Sequence, residues 1–387
     1  MHIAWLGKKS PFCGNVTYSR EVTNALLDRG HQVSFFHFAQ RRNPGDPLPD
    51  AQEVSIPCLY KSQIYTIPSP RSSKVLVDAL KALAPDVVHA SLTLSPLDFR
   101  LPEICEELGI PLVATFHPPF DHKVRNLTSG TQHLTYQVYA PCLAKYDRVI
   151  VFSNLQRDLL HRLGVPTIAL LSFRTGLIPI AIVPGYYPLA RELNAERVFI
   201  YQGRISTEKN IEALLKAWKL ADMGPQCRLV IVGDGPLKPS LELAYGADLG
   251  IVWLGFEASE QRRIQLLQGA DVFILPSLVE GLSLSLLEAM SCGVACLATD
   301  AGADGEVLDQ GAGVVLNTQR VTAQLQTLLP LFRDHPEMTQ LLGRKARQRV
   351  LERYILSQNI SHVEAVYQAL NAGPLKRRLS CIPTHLV

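Results

Sequence analysis

A short segment in which two carboxylates flank small residues is the strongest candidate for chemistry in this chain. Residues 276–290 have the sequence PSLVEGLSLSLLEAM, so Glu280 precedes a Gly-Leu-Ser turn and Glu288 lies on the helix that we predict to follow. Backbone N–H groups at a helix N-terminus bind anions such as a diphosphate, whereas carboxylates are good acceptors for sugar hydroxyls. The segment therefore predicts a site for a sugar diphosphate. The alternative is an ordinary strand-to-helix turn with two solvated acids.

A second candidate segment begins at a glycine that ends a predicted strand. Residues 201–210 have the sequence YQGRISTEKN, so Gly203 is followed by two cations, Arg204 and Lys209, on a loop and helix start. Such cations can neutralise a departing diphosphate, where negative charge grows as the sugar–phosphate bond breaks. The alternative is surface charge, but positive charge at a helix start opposes the helix dipole. This unfavourable placement favours a functional use of both cations.

Together and in order, these segments resemble glycosyltransferase family 4, a retaining family with the GT-B fold. Its hallmarks are G-R-x4-K, V-G-x-G-P, and E-x7-E followed by E-A-M-x-x-G-x-P-V. Here they correspond to residues 203–209, 232–236 and 280–295, and the resemblance covers nearly the whole chain. The combination of motifs is specific to this family.

The resemblance implies a role for each residue. Glu280 would contact the 3-hydroxyl of the donor sugar and Glu288 the ribose, while Arg204 and Lys209 would contact the diphosphate oxygens. The implied donor-binding residues are Gly14, Gly203, Gly233, Phe256 beside the base, the N–H groups of Gly281, Leu282 and Ser283, and Glu288.

The first half of the chain resembles the family more loosely. Gly14 lies in the sequence PFCGN, where the family usually has a Gly-Gly loop over the phosphates, so one glycine is missing. His117 ends a predicted strand, where family members place a histidine against the donor sugar and phosphate. A histidine at a strand end is more often structural, yet in this position we predict a functional role. We predict no such role for His89, His122 and His133.

These residues need a scaffold that brings strand ends together. Short apolar runs alternate with amphipathic segments, which is typical of βαβ units and a parallel sheet. The predicted strands cover residues 3–6, 33–36, 87–90, 112–116, 148–152, 198–201, 229–232, 252–254, 272–275 and 295–298. The predicted helices cover 18–29, 97–108, 132–144, 155–163, 211–221, 237–244, 260–270 and 285–290, with further helix from 321 to 370. Residues 41–71, rich in Pro, Asp and Ser, are predicted to be mainly loop.

The predicted fold class is α/β, of the GT-B type, with two Rossmann-like doubly wound domains that face each other across a cleft. Ligands are expected at the carboxyl ends of both sheets. The N-terminal, acceptor-side domain covers 1–190, and the C-terminal, nucleotide-sugar-binding domain covers 191–356. By resemblance, a helix at 357–370 crosses back to the first domain, and 371–387 form a basic tail.

The composition of the chain narrows the class of protein further. The 387 residues are 47% hydrophobic and 19% charged, which suits a globular protein. A net charge of +3 is too small to indicate a nucleic-acid partner; it divides into +4 for residues 1–190 and −1 for the rest. The eight cysteines have no zinc-like spacing, and no secretory signal or membrane span is evident. We therefore expect a cytoplasmic protein that associates peripherally with a membrane through its mildly basic first domain.

The expected reaction is transfer of a hexosyl group from a UDP-linked sugar, although GDP- and ADP-sugars occur in the same fold. The family has no accepted nucleophile, and no DxD-like metal motif follows a predicted strand, so neither a cofactor nor a metal is expected. The first half resembles family members of photosynthetic bacteria, some of which glycosylate membrane glycolipids. This resemblance favours a lipid acceptor such as a galactolipid. The alternatives are an epimerase that hydrolyses nucleotide sugars and an inactive nucleotide-sugar-binding descendant.

Residues 173–184, with the sequence FRTGLIPIAIVP, depart from the V-I-P-N-G-V-D segment that family members carry here. Codons compatible with this stretch, shifted by one base, encode Ile-Pro-Asn-Gly-Val-Asp-Thr-Asp-Arg-Tyr-Ser-Pro. We therefore predict a compensated frameshift that begins near 170–172 and ends between 185 and 193, either in the gene or as a sequencing error. The expected result of resequencing is a second frame that encodes Asn-Gly-Val-Asp; DNA without it contradicts the prediction.

Overall fold

The computed structural model describes residues 1–10, 14–39, 53–62, 65–119, 127–172 and 184–372, with the side chains of 127–129 left out. These residues divide into two compact units. The first contains the described residues of Met1–Pro118, Thr131–Leu177 and Leu356–Val387. The second contains those of Pro119–Gly130 and Ile178–Ile355. Outside the described residues lie 173–183, which form part of the predicted frameshift, the tail beyond 372, His122 and residues 11–13.

The first unit is built on an eight-stranded sheet with the order β4-β3-β2-β1-β5-β6-β7-β8. Its strands are β1 (His2–Gly7), β2 (Gln32–Ala39), β3 (Glu53–Lys61), β4 (Thr66–Pro68), β5 (Val87–Ser91), β6 (Leu112–Thr115), β7 (Arg148–Val151) and β8 (Leu170–Ser172). All neighbours are parallel except β3 and β4. The first helices in the chain are α1 (Gly14–Asp28), α2 (Ser72–Leu83), α3 (Leu101–Leu108), α4 (Leu127–Leu143) and α5 (Asn154–Arg162).

The second unit has a six-stranded parallel sheet with the order β11-β10-β9-β12-β13-β14. Its strands are β9 (Arg197–Gln202), β10 (Cys227–Val232), β11 (Ile251–Gly255), β12 (Val272–Leu275), β13 (Ala295–Thr299) and β14 (Val314–Leu316). Its helices are α6 (Leu189–Glu192), α7 (Ile211–Ala221), α8 (Lys238–Ala244), α9 (Glu260–Gln268), α10 (Leu284–Ser291), α11 (Asp304–Leu308), α12 (Val321–Asp334) and α13 (Pro336–Arg353). All four side chains of β12 are buried, as expected for a strand covered on both faces.

The predicted α/β fold class with two parallel-sheet domains is confirmed. Within the stretch 41–71, which was expected to be mainly loop, most of the described residues instead form strands, while 41–52 and 63–64 lie outside the described residues. Residues 53–61 and 66–68 form β3 and β4, which extend the first sheet beyond β2. The alternation of Val54, Ile56 and Cys58 is the strand signal that the surrounding prolines and polar residues obscured. Ile56 and Cys58 are buried, so their packing outweighs the weak strand preference of Pro57.

The last described helix, α14 (Leu356–Asn371), belongs to the first unit. Its Tyr367 hydroxyl is hydrogen-bonded to Nδ1 of the buried His89, whose Nε2 lies 2.7 Å from Thr115 Oγ1. At the surface, Arg29 and His31 contact the Glu364 carboxylate, with the His31 Nε2–Glu364 Oε1 distance at 2.8 Å. Helix α14 is therefore held by a buried polar network and by an ion-pair cluster.

Glu364→Ala is expected to lower the free energy of unfolding by about 1 kcal/mol, because solvent screens this pair. Burial opposes ionisation, but hydrogen bonds from His31 and Arg29 hold the pKa of Glu364 below its ordinary value. A depressed folded pKa stabilises the fold above the unfolded pKa, and this contribution is lost as the pH falls through the folded pKa. Urea unfolding should therefore show a difference at pH 7 that shrinks below about pH 4. Glu107→Ala, at an exposed position, is the control; equal midpoints at pH 7 for both variants would contradict this expectation.

Candidate donor-binding site

The candidate residues of the second unit lie where the strand order of its sheet reverses. From β9 the chain proceeds outward to β10 and β11, then returns to place β12 on the other side of β9. In open α/β sheets, ligands bind at the carboxyl ends of the two strands that flank such a reversal. Residues 203–209 follow β9 and residues 276–283 follow β12, so the two predicted segments meet at this position.

A direct ion pair joins the two segments. Lys209 Nζ lies 2.5 Å from Glu280 Oε1, and only 8% of the Glu280 side chain is exposed, against 21% for Lys209. A backbone hydrogen bond of 2.8 Å from Leu278 N–H to the Glu208 carbonyl also links the loops. The structure therefore brings together the predicted cation and the predicted sugar-binding carboxylate, which are far apart in sequence.

Two glycines allow the strand ends to approach each other. Gly233 has a φ of 145°, and a Cβ added there would lie 1.8 Å from the Gly203 carbonyl oxygen. Its N–H donates to the Gly255 carbonyl at 2.7 Å, and the Gly203 N–H donates to the Val232 carbonyl at 2.9 Å. The ends of β9, β10 and β11 are thus held so close that no side chain fits at Gly233.

Glu288 lies on α10, half-buried, and accepts a hydrogen bond of 2.9 Å from Gln202 Nε2. Burial raises the pKa of Glu288 to about 7, with Arg263 opposing the shift and Glu260 adding to it. Near neutral pH this carboxyl is therefore distributed between its acid and its carboxylate. It can donate to or accept from a hydroxyl group, which suits a diol ligand such as ribose.

The 281–283 loop differs in one respect from the expectation. Ser283 caps α10, and its backbone N–H donates to Asp304 Oδ1 at 3.0 Å, so this N–H is not available to a diphosphate. Gly281 and Leu282 remain the candidate donors of this loop. Sequence reasoning missed Asp304; the available signal was a run of small residues, 301–303, between a strand and a helix.

Arg204 and Phe256 both lie at the surface of the second unit. The Arg204 side chain is exposed, and its backbone carbonyl accepts a hydrogen bond of 2.7 Å from the Tyr201 hydroxyl, which fixes the loop after β9. Phe256 follows β11 and is 68% exposed. An exposed aromatic ring at a strand end is able to stack on a base.

In the first unit, His117 follows β6 and its Nε2 lies 2.8 Å from Ser91 Oγ. The Asn15 amide donates to the Leu92 carbonyl at 3.0 Å, which orients its oxygen toward Ser91, and the Ser91 hydroxyl donates to that oxygen at 2.8 Å. Since Ser91 has one proton to donate, it must accept from His117 Nε2–H. His117 is therefore the Nε2–H tautomer, with Nδ1 as an acceptor.

Burial, with a smaller contribution from the Lys8 charge, lowers the pKa of His117 to about 3. The imidazole is consequently neutral at physiological pH, so Nδ1 is suited to accept from a sugar hydroxyl rather than to bind phosphate as a cation. Gly14 begins α1, and a Cβ added there would meet nothing within 4 Å. Among the described residues, no close approach at this position requires glycine.

Three further observations concern the described part of the chain. Within it, no group of three or more His, Cys, Asp or Glu side chains is arranged to hold a metal ion. None of its helices is long and apolar enough to span a bilayer. Its cysteines, Cys58, Cys105, Cys142, Cys227, Cys292 and Cys296, are buried free thiols.

Comparison with known families matches both halves of the chain. Residues 190–349 match the family model described as glycosyl transferases group 1, and residues 13–171 match the model described as glycosyltransferase family 4. Among solved structures, HepE of Anabaena in complex with UDP has a TM-score of 0.75 at 15% identity, with 96% of this chain and all of that chain covered. Sucrose-phosphate synthase of Thermosynechococcus elongatus has a TM-score of 0.72 at 21% identity, with 96% and 99% covered.

Among curated relatives, the sulfoquinovosyl transferase SQD2 of Arabidopsis thaliana is 26% identical over 78% of this chain. The alpha-monoglucosyldiacylglycerol synthase of Streptococcus pneumoniae is 26% identical over 74% of this chain and 67% of its own length. The chain spans 59% of the length of SQD2 and 62% of a mycobacterial phosphatidylinositol dimannoside mannosyltransferase. The fold, the motifs and both family models agree: this chain belongs to the group 1 glycosyltransferases.

Proposed function

We propose that this protein transfers a hexosyl group from a UDP-sugar to an acceptor with retention of the anomeric configuration. The observation that carries the proposal is the Lys209–Glu280 ion pair at the reversal of the second sheet. It sets a largely buried carboxylate, suited to a sugar hydroxyl, beside a cation suited to a diphosphate oxygen. A complex of HepE with UDP supports a uridine nucleotide as the first donor to test.

In the proposed reaction, Glu280 holds the 3-hydroxyl of the donor sugar while Lys209 and Arg204 neutralise the departing diphosphate. The bond between C1 and the phosphate oxygen breaks, and the acceptor oxygen bonds to C1 on the same face. The departing phosphate takes the proton of the acceptor hydroxyl. The protein thus contributes positioning and charge stabilisation, and neutral His117 contributes a hydrogen-bond acceptor.

We also propose a lipid acceptor, of which a galactolipid is the first choice, and peripheral contact with the membrane through the first unit. The names of two relatives, the sulfoquinovosyl transferase and the monoglucosyldiacylglycerol synthase, are consistent with this choice. The β3–β4 hairpin adds support, because it exposes a group of apolar side chains: Leu59, Tyr60, Tyr65 and Ile67. Tyrosines at such a surface are suited to a membrane interface.

The test is release of nucleoside diphosphate from a panel of UDP-, GDP- and ADP-sugars, with and without a galactolipid-containing lipid extract. We expect release from a UDP-sugar that increases when lipid is added. Release without lipid and without a glycosylated product would indicate hydrolysis or epimerisation. Nucleotide binding without release would indicate an inactive descendant, and either result would overturn the proposal.

Transfer is expected to continue in excess EDTA. The reason is that Lys209 and Arg204 supply the positive charge that metal-dependent transferases obtain from a divalent ion. The measurement is the initial rate of diphosphate release in EDTA, compared with the same reaction in magnesium. Complete loss in EDTA that is reversed by added metal would contradict this part of the proposal.

A further inference from the structure

The turn after β13 supports the loop that follows β12. The Ala303 N–H donates to the Gly281 carbonyl at 2.7 Å, and Asp304 Oδ1 accepts from the Ser283 N–H at 3.0 Å. Gly302 has a φ of 59°, and a Cβ added there would lie 2.2 Å from the Glu280 carbonyl oxygen. The backbone of residues 280–283 is therefore in close contact with residues 302–304.

The Asp304 side chain is fully buried, and its Oδ2 has no hydrogen-bond partner among the residues that the structure describes. It lies in the electrostatic field of Glu280 and Lys209, so these three side chains comprise two carboxyl groups and one ammonium group. If both acids were ionised, the buried cluster would carry an uncompensated negative charge, which is costly away from water. Glu280 has the direct partner, Lys209, so Asp304 is the group that keeps a proton.

The electrostatics agree with this assignment. Burial, and then the charge of Glu280, raise the pKa of Asp304 well above its ordinary value, although the Ser283 N–H and Lys209 act in the opposite direction. A neutral acid that accepts through one oxygen and carries a proton on the other has the hydrogen-bonding pattern of an amide. Asparagine is therefore the conservative replacement, and alanine removes the acceptor of the Ser283 N–H.

We propose that Asp304 is a positioning residue of the donor site. As a neutral acid it accepts a hydrogen bond from the Ser283 N–H. Through the 281–283 backbone it fixes the Glu280 carboxylate in the position that contacts the donor sugar. Asp304 does not itself contact the reacting atoms. This inference rests on the proposed function of Glu280.

The test compares Asp304→Ala and Asp304→Asn with the wild type. A lost buried hydrogen bond predicts a fall of about 30-fold in kcat/KM for Asp304→Ala. The affinity for UDP should fall by a smaller factor than kcat/KM, because UDP has no sugar to contact Glu280, although Gly281 and Leu282 remain its candidate donors. Asp304→Asn should retain kcat/KM within about 3-fold, because the neutral amide oxygen can still accept from the Ser283 N–H. Asp309→Asn is the matched control, because Asp309 is exposed and directly follows α11, the helix that begins at Asp304. It should leave kcat/KM unchanged.

If Asp304→Asn loses as much activity as Asp304→Ala, the reaction requires an ionised Asp304, and the proposal is overturned. A purely structural role, in which Asp304→Ala lowers the unfolding temperature but leaves kcat/KM per folded molecule unchanged, also overturns it. If Asp304→Ala does not fold, the decision rests on the activity of Asp304→Asn and on infrared spectra. The wild type should show a protonated-carboxyl band that Asp304→Asn lacks.

The infrared comparison needs no turnover, so it separates this inference from the proposed function. A wild type that transfers no sugar but shows the band removes the transferase proposal and leaves the neutral Asp304 standing. An active wild type without the band removes the neutral Asp304 alone.

Discussion

Glu280→Ala is expected to lower kcat/KM by at least ~100-fold while binding of free UDP is retained. The carboxylate is almost fully buried, so its contact with a sugar hydroxyl would be made away from competing water. A contact that is stronger in the transition state than in the ground state contributes to kcat/KM. Its loss therefore lowers kcat/KM. UDP has no sugar to contact Glu280, so its affinity should survive.

The matched control for this variant is Glu212→Ala on α7. Glu212 is also a glutamate paired with a lysine, Lys216, but both side chains are more than half exposed. The control should keep wild-type kcat/KM, because exposed pairs contribute little. Near-normal turnover in Glu280→Ala would remove Glu280 from the donor site.

Lys209→Met is expected to have a larger effect, a fall of about 1,000-fold in kcat/KM. Methionine keeps the apolar length of the side chain but removes the charge that we propose neutralises the departing diphosphate. It also leaves the Glu280 carboxylate buried without its cation, and loss of one partner from a buried pair costs about 3 kcal/mol of stability. Denaturant unfolding and steady-state kinetics measure the two effects separately.

The double variant Lys209→Met with Glu280→Gln separates stability from catalysis. Since neither side chain is charged, most of the lost stability should return, whereas kcat/KM should stay low. Lys216→Met on α7 is the matched control and should alter neither quantity. Recovery of activity in the double variant would contradict both the assignment of Lys209 to the diphosphate and the assignment of Glu280 to the donor sugar.

Much of the second unit could be predicted because its signals are local. The apolar run 272–275 is long enough for one buried strand, and the turn residues after it mark the loop that carries Glu280. Parallel strands have their carboxyl ends at one edge, so the loops after β9 and β12 had to lie close together. The adjacency of β9 and β12 and the Lys209–Glu280 contact were not predicted from the sequence; both come from the structure.

The remaining features depend on distant contacts that no local pattern encodes. The Ser283 N–H was expected to bind phosphate, but Asp304, which arrives from the next strand-to-helix turn, accepts it instead. The tautomer of His117 depends on Ser91 and Asn15, which come from two other elements. Strand β3 was missed because Pro57 and its polar residues are outweighed by the burial of Ile56 and Cys58 and by pairing with β2 and β4.

The most direct test of the central claim follows the sugar itself. The purified protein is incubated with UDP-hexose labelled with carbon-13 at C1 and with a galactolipid, and the label is followed by NMR. The predicted result is labelled sugar bound to the lipid, with the anomeric configuration of the donor, in the wild type and not in Glu280→Ala. Labelled free sugar with no glycolipid product, or a product with the inverted configuration, would contradict the proposed retaining transfer.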